Sequence, residues 1–362
     1  MTKKKIAVFG VKGFPAFGGA SRSSENIVNL LKDDYSYTIY SVSTHTNNVG
    51  VYNGYYQKVF KGVKGKRLNT LLYHIKSLLH ALFIGNYDIV QVNHTSAGFM
   101  VPFLRLRFKV VSTAHGVIPK NDNKWNVLDK FLFDLSAYLF FQFSNISISV
   151  SNPHIDLFKK YTRKKIIYIP NGICLVKHSE VIKQDRIIFA AGRIISLKGA
   201  HVLIDALNKM EYEGKTIFVG SLDHTPKYRD QLFELGKERD IEYIGLIKEE
   251  NKLFDEIKKS KIFVFPSFNE GMSNMLLEVA SLKTPLICSD IPENKAVFSD
   301  NEVLYFETGN EEDLANKIEW ALSNYLIMQE MSEKAFIKLQ KEYLWSDIAK
   351  SYSKIYDSLL IQ

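Results

Sequence analysis

The chain has 362 residues, 46% hydrophobic and 24% charged, which suits two domains each large enough for its own core. No run of eighteen uncharged apolar residues occurs. Stretch 71–84 is broken by His74, Lys76 and His80, and 131–143 by Asp134 and Gln142, so no membrane-spanning helix is expected. The two cysteines, Cys174 and Cys288, lie far apart and form neither a metal nor a redox spacing.

Net charge is +8, unevenly spread. Residues 1–180 hold 24 Lys+Arg and 9 Asp+Glu, so 24 − 9 = +15; residues 181–362 hold 23 and 30, so 23 − 30 = −7. Such asymmetry suggests a different partner for each half. The basic half suits an anionic membrane surface or nucleic acid, or is merely a set of solvated faces. No nucleic-acid-binding module accompanies it, so nucleic acid is not the expected partner.

In chain order, Met1-Thr2-Lys3-Lys4-Lys5-Ile6 lacks a long apolar segment, and 6–10 reads as a first strand rather than a signal peptide. A cytoplasmic enzyme is expected. Strands are predicted at 6–9, 38–42, 89–92, 110–113, 146–150 and 166–169, with helices at 24–31, 70–82, 127–141 and 153–160. After a polar stretch at 174–184 the alternation restarts. Strands fall at 187–190, 216–219, 241–244, 262–265 and 286–288, and helices at 200–210, 228–239, 251–258, 273–282 and 311–322. Such alternation implies parallel sheets wound by helices, in two doubly wound α/β domains facing a cleft. The expected division is 1–178, 179–342 and a terminal helical segment 343–362, apolar along one face at Trp345, Ile348, Ala349, Tyr352, Ile355, Tyr356 and Leu359.

Four loops carry candidate chemistry. The first follows strand 6–9 and reads Gly10-Val11-Lys12-Gly13-Phe14-Pro15-Ala16-Phe17-Gly18-Gly19, where Gly18 and Gly19 permit close backbone approach at a helix start. It matches neither a dinucleotide nor an ATP motif. The second holds His115, followed by Gly116 at the end of strand 110–113. The third, Gly192-Arg193-Ile194-Ile195-Ser196-Leu197-Lys198-Gly199, places two cations between a strand and a helix, a guanidinium fork and an ammonium able to offset charge on a phosphate group. The fourth is Phe265-Pro266-Ser267-Phe268-Asn269-Glu270-Gly271-Met272-Ser273-Asn274-Met275-Leu276-Leu277-Glu278. Glu270 is expected in the loop beyond a strand's carboxyl end and Glu278 about two turns down the next helix. That separation is too large for the paired carboxylates of a retaining glycosidase. No Asp-x-Asp, His-Glu-x-x-His or Cys/His cluster appears, so no metal is expected; cations and helix dipoles can offset the charge of an anionic ligand instead.

Together these loops resemble retaining glycosyltransferases of the GT-B type, family four, with their Glu-x7-Glu motif. The first loop is similar to a sub-group that makes bacterial surface polysaccharides. The resemblance implies two Rossmann-like domains with an interdomain cleft, the last helix crossing back onto the first domain. It implies a nucleotide-sugar donor, a UDP-sugar by default, no cofactor, and a glycan or lipid-diphosphate-linked glycan as acceptor. Glu270 and His115 would then position the sugar, Arg193 and Lys198 stabilise the diphosphate, and Glu278 bind the ribose hydroxyls. Gly18, Gly19, Gly245, Gly271, Met272, Ser273 and Asn274 would contribute donor contacts, Gly245 near the base. Peripheral attachment to the inner face of a plasma membrane is a further expectation, drawn from basic and apolar residues mixed over 52–84. A non-hydrolysing nucleotide-sugar epimerase of the same fold and a non-catalytic partner subunit remain the alternatives.

Overall fold

A computed structural model describes residues 3–16, 18–117, 126–175, 181–223 and 225–361, Lys66 by its backbone alone. The chain forms two compact units, Met1–Gly172 with Trp345–Gln362, and Ile173–Leu344. The division thus falls after Gly172 rather than 178, and the last segment begins at Trp345 rather than 343. Ile173 pairs with Leu344 in parallel, and its N–H donates to the Tyr343 carbonyl at 2.8 Å, which ties both connecting stretches into the second unit.

The first unit runs β1 (Lys4–Phe9), α1 (Gly19–Leu31), β2 (Tyr35–Val42), β3 (Gly50–Tyr52), β4 (Tyr55–Phe60), α2 (Lys66–Phe83), β5 (Ile89–Val92), a 3-10 turn at Thr95–Met100, α3 (Val101–Arg105), β6 (Lys109–Ala114), α4 (Val127–Phe143), β7 (Ile146–Ser149), α5 (Asn152–Phe158) and β8 (Ile166–Tyr168). Among the described residues the strands make one sheet of order β3-β4-β2-β1-β5-β6-β7-β8, parallel except for the β3–β4 hairpin. That hairpin was not expected. Asn53 (φ 47°) and Gly54 (φ 86°) supply the two positive-φ residues of its tight turn. β4 then carries Gln57, fully buried, which fixes the β1–α1 loop.

Two apolar layers cover the sheet. On one face Ile6, Val8, Ile39 and Val111 pack with Ile27 and Leu31 of α1 and with the terminal helix Trp345–Leu360. All seven positions of that helix's apolar face are buried, and Tyr35 donates to its Asp357 at 2.7 Å. On the other face Ala7, Phe9 and Val90 pack with Tyr73 and Ala81 of α2, Leu104 of α3, Phe140 and Phe141 of α4 and Phe158 of α5.

The second unit contains β9 (Gln184–Arg193), α6 (Ala200–Lys209), β10 (Lys215–Ser221), α7 (Pro226–Leu235), β11 (Ile241–Gly245), α8 (Glu250–Lys259), β12 (Ser260–Phe265), α9 (Asn274–Ser281), β13 (Leu286–Ser289), α10 (Pro292–Lys295), β14 (Leu304–Phe306), α11 (Glu311–Ser323) and α12 (Tyr325–Glu342). Its described strands form a wholly parallel sheet of order β11-β10-β9-β12-β13-β14. The chain winds outward from β9 to β11, then returns to start the other side with β12. The order therefore reverses between β9 and β12, the place where open α/β sheets leave a crevice beyond their carboxyl ends.

Candidate active site

The β9/β12 reversal brings two of the predicted loops together. β9 ends at Arg193, and a short 3-10 turn, Ser196–Lys198, leads into α6. β12 ends at Phe265, and its loop leads into α9. The Lys198 ammonium donates to Glu270 Oε1 at 2.5 Å, joining residues 72 apart in sequence. The Glu270 side chain is 9% exposed and that of Lys198 26%, so the pair is partly shielded from water.

The backbone explains why the loops meet there. Gly199 has φ 71°, and a Cβ on it would lie 1.9 Å from the Pro266 carbonyl oxygen, so only glycine lets them touch. The Phe268 N–H donates to the Leu197 carbonyl at 3.0 Å. Behind them the His201 ring stacks on Phe268 at 5.7 Å, while His201 Nδ1 and the Tyr228 hydroxyl lie 2.8 Å apart. Ser289 Oγ donates to the Ser267 carbonyl at 2.5 Å, and Asn294 donates to the Ser289 carbonyl. These braces were not singled out from sequence. They join residues from four strand–helix units, and no local pattern marks them.

Gly271, Met272 and Ser273 connect Glu270 to α9, whose first residue is Asn274. The helix starts there, so Glu278 is its fifth residue, little more than one turn in rather than two. Glu278 is buried at 4% exposure among Leu276, Leu277 and Val279. A carboxylate held inside a unit is costly unless it serves a partner. Arg193 is exposed at the end of β9. Gly245 ends β11 with φ 81° and open space where a side chain would stand. A hollow of about 860 Å³ lined by Asp185, Tyr212, Arg239 and Lys261 lies at the strands' amino ends, the wrong end for a ligand in a parallel sheet.

In the first unit the strand order reverses between β1 and β5. The β1–α1 loop is clamped by Gln57, which accepts from the Phe14 N–H and donates to the Phe14 carbonyl, both at 2.9 Å. Glu25 accepts from the Ala16 N–H at 2.8 Å. Gly18 caps α1, accepting from the Arg22 N–H at 2.8 Å, and Gly19 is the helix's first residue. A Cβ on Gly18 would meet nothing within 4 Å, so this helix start faces open space.

His115 follows β6 directly. Both its ring nitrogens are buried with no hydrogen-bond partner among the described residues, and burial, aided by His94, pushes its pKa down to about 3. His74 of α2 shares this environment. Its Nδ1 is buried with no hydrogen-bond partner among the described residues, and burial, then His94 and Lys12, lowers its pKa to about 3. His94 and His74 were not anticipated as neighbours of His115, since they come from different strand–helix units.

These two histidines predict a pH dependence. The unfolded chain protonates them near pH 6.5, while the folded state keeps them neutral down to about pH 3. Their contribution is full above pH 6.5 and is lost as pH falls. At pH 5 the loss is about 2 kcal/mol for each. Thermal unfolding should show Tm dropping between pH 7 and 5, and His74→Gln with His115→Asn should flatten that slope. A slope unchanged in the double variant contradicts the assignment.

Comparisons with known proteins agree with this architecture. Residues 17–177 match the family model for Glycosyltransferase Family 4, and residues 176–338 the model for Glycosyl transferases group 1. The chain is 24% identical to the O-antigen biosynthesis glycosyltransferase WclY of Escherichia coli, over 70% of this chain and 73% of that protein. It is 25% identical, over 50% and 46%, to a Campylobacter jejuni N-acetylgalactosamine-N,N'-diacetylbacillosaminyl-diphospho-undecaprenol 4-alpha-N-acetylgalactosaminyltransferase. The structure of Anabaena Alr3699/HepE in complex with UDP-glucose superposes with a TM-score of 0.79 at 16% identity, covering 98% of this chain and 99% of that one. The chain is a glycosyltransferase of the GT-B fold, with a Family 4 first unit and a group 1 second unit.

Proposed function

We propose that the protein is a retaining glycosyltransferase of bacterial surface-polysaccharide synthesis, moving a sugar from a UDP-sugar to a hydroxyl of a lipid-diphosphate-linked glycan. The observation that carries this reading is the Lys198–Glu270 pair at the β9/β12 reversal. A cation for the diphosphate and a carboxylate for the sugar stand 2.5 Å apart. The donor's sugar–phosphate junction lies alongside this pair, its phosphate on the Lys198 side and its sugar on the Glu270 side. The UDP donor takes support from the ligand of HepE, and the lipid-linked acceptor from the name of the Campylobacter relative.

In the proposed step the bond between the anomeric carbon and the β-phosphate oxygen breaks. The acceptor oxygen bonds to that carbon on the same face, and its proton passes to the departing phosphate. Lys198 and Arg193 offset the charge growing on the diphosphate, with no resident metal required. Gly271, Met272, Ser273 and Asn274, at the start of α9, offer backbone groups to the donor, and Glu278 takes the ribose hydroxyls. Gly245 leaves room for the base. In the first unit, Gly18 and Gly19 at the α1 start, and neutral His115, whose ring nitrogens have no hydrogen-bond partner among the described residues, are the groups available to a donor hydroxyl.

The test is release of nucleoside diphosphate from a UDP-sugar panel, with and without a polyprenyl-diphosphate-linked glycan, in excess EDTA. Acceptor-dependent release with an unchanged anomeric configuration is expected. Acceptor-independent conversion of the donor sugar would establish the epimerase instead, and loss of activity on chelation, restored by Mg²⁺, would overturn the metal-free account.

A further inference from the structure

The helices that cover the second apolar layer of the first unit are apolar on their outer side too. On α2, Leu68, Leu71, Ile75, Leu79 and Phe83 are 43–78% exposed, and their spacing of three and four residues makes one continuous stripe. Beside it, Phe103 of α3 is 52% exposed and Leu106 just beyond is 85% exposed. α4 adds Val127, Leu128 and Phe131, each more than 60% exposed. These helices are neighbours: Gly98 of the 3-10 turn sits so close to α4 that a Cβ would lie 1.9 Å from the Ser136 carbonyl, and Arg67 at the start of α2 lies 3.5 Å from Asp129 of α4. A soluble surface scatters such residues singly; a contiguous field of them marks a partner.

The charge around this field says which partner. Lys61, Lys64 and Arg67 stand at the α2 entrance, Lys76 on α2, Arg105 and Arg107 at the end of α3 and Lys130 on α4. The two acids of α4 are engaged locally: Asp129 caps its own helix, accepting from the Asn126 N–H, and Asp134 accepts from the Tyr161 hydroxyl. None of the described helices is long and apolar enough to cross a bilayer. Apolar side chains ringed by cations, without a spanning segment, are the composition of an interfacial surface.

We propose that the outer face of α2, α3 and α4 docks on an anionic lipid bilayer. Leu71, Leu79, Phe103 and Phe131 enter the headgroup–acyl boundary and the surrounding lysines and arginines meet lipid phosphates. This differs from a surface spread over 52–84. Tyr55 is buried in β4, Leu72 and Leu78 are half-buried, and α4, outside that segment, supplies part of the face. The proposal stands on the exposed face, and the lipid-linked acceptor of the proposed function supplies only its use.

Vesicle flotation of the full chain tests it. Binding is expected to vesicles containing phosphatidylglycerol, to weaken as salt rises, and to be much poorer with phosphatidylcholine alone. Leu71→Gln combined with Leu79→Gln and Phe131→Gln should weaken it at least tenfold. Lys61→Glu with Lys64→Glu should reduce it without changing Tm. Transfer to a water-soluble glycan acceptor, measured on the same variants, should stay at the wild-type rate, which separates loss of docking from failure of the enzymatic reading. Equal binding to both vesicle types, unchanged binding by the triple variant, or a dimer dispersed by that variant with no vesicle binding would each overturn the proposal.

Discussion

Lys198→Ala should lower kcat by roughly 10²-fold or more, the scale of losing a preorganised charge donor at a leaving group. Lys198 is placed by the turn after β9 and held against Glu270 at 2.5 Å, so its position is set before the donor arrives. Arg193→Ala should lower turnover by well over tenfold, because this exposed guanidinium ends the same strand. Glu270→Gln keeps the shape but removes the charge opposite Lys198, and it should also reduce kcat. Arg193→Ala should unfold near the wild-type temperature, since an exposed loop charge contributes little to stability, while Lys198→Ala and Glu270→Gln stay folded but melt lower, because each leaves a partly shielded charge without its partner. Initial rates and melting curves give the answer together. Wild-type turnover in Lys198→Ala would sink the assignment of the diphosphate site.

Gly199→Ala should be strongly destabilising. The left-handed φ of 71° costs an alanine about 1 kcal/mol. The larger penalty is steric: the new methyl would sit 1.9 Å from the Pro266 carbonyl oxygen, a backbone atom that cannot swing aside. A total loss on the order of 3 kcal/mol is expected, as for other clashes in packed backbone. Relief requires the two loops to part, so Lys198 and Glu270 separate and turnover falls as well. Gly192→Ala is the control in the same loop. Gly192 is exposed, and a Cβ there meets nothing within 4 Å. Urea titration should show Gly199→Ala well below wild type and Gly192→Ala close to it. Equal midpoints for the two would show that Gly199 is not the junction.

Much of this was legible in the sequence because it is local. Alternating apolar runs and helical periodicity located β1, β5, β12 and the terminal helix, and the Gly-Arg…Lys-Gly and Glu270…Glu278 stretches carried their own strand–loop–helix context. Strand order was not legible. Which strand lies beside β9 depends on pairings between residues some 75 apart, such as Ile262 with Ile187, and only that order sets Lys198 against Glu270. Other elements carried signals that were passed over. Asn53-Gly54 marks the β3–β4 hairpin, and Met328, Met331, Ala335 and Leu339 repeat at helical spacing along α12. The outer face of α4 was hidden for a different reason. A helix apolar on all sides gives no periodic contrast, so sequence cannot say which side meets the core and which meets solvent.

Calorimetric titration of UDP into the protein shows whether the β9/β12 reversal holds the donor diphosphate. UDP should bind the wild type, and Lys198→Ala should weaken its affinity at least tenfold while His74→Gln in the first unit leaves it unchanged. An affinity identical in wild type and Lys198→Ala, or no binding of any nucleoside diphosphate, would contradict the claim.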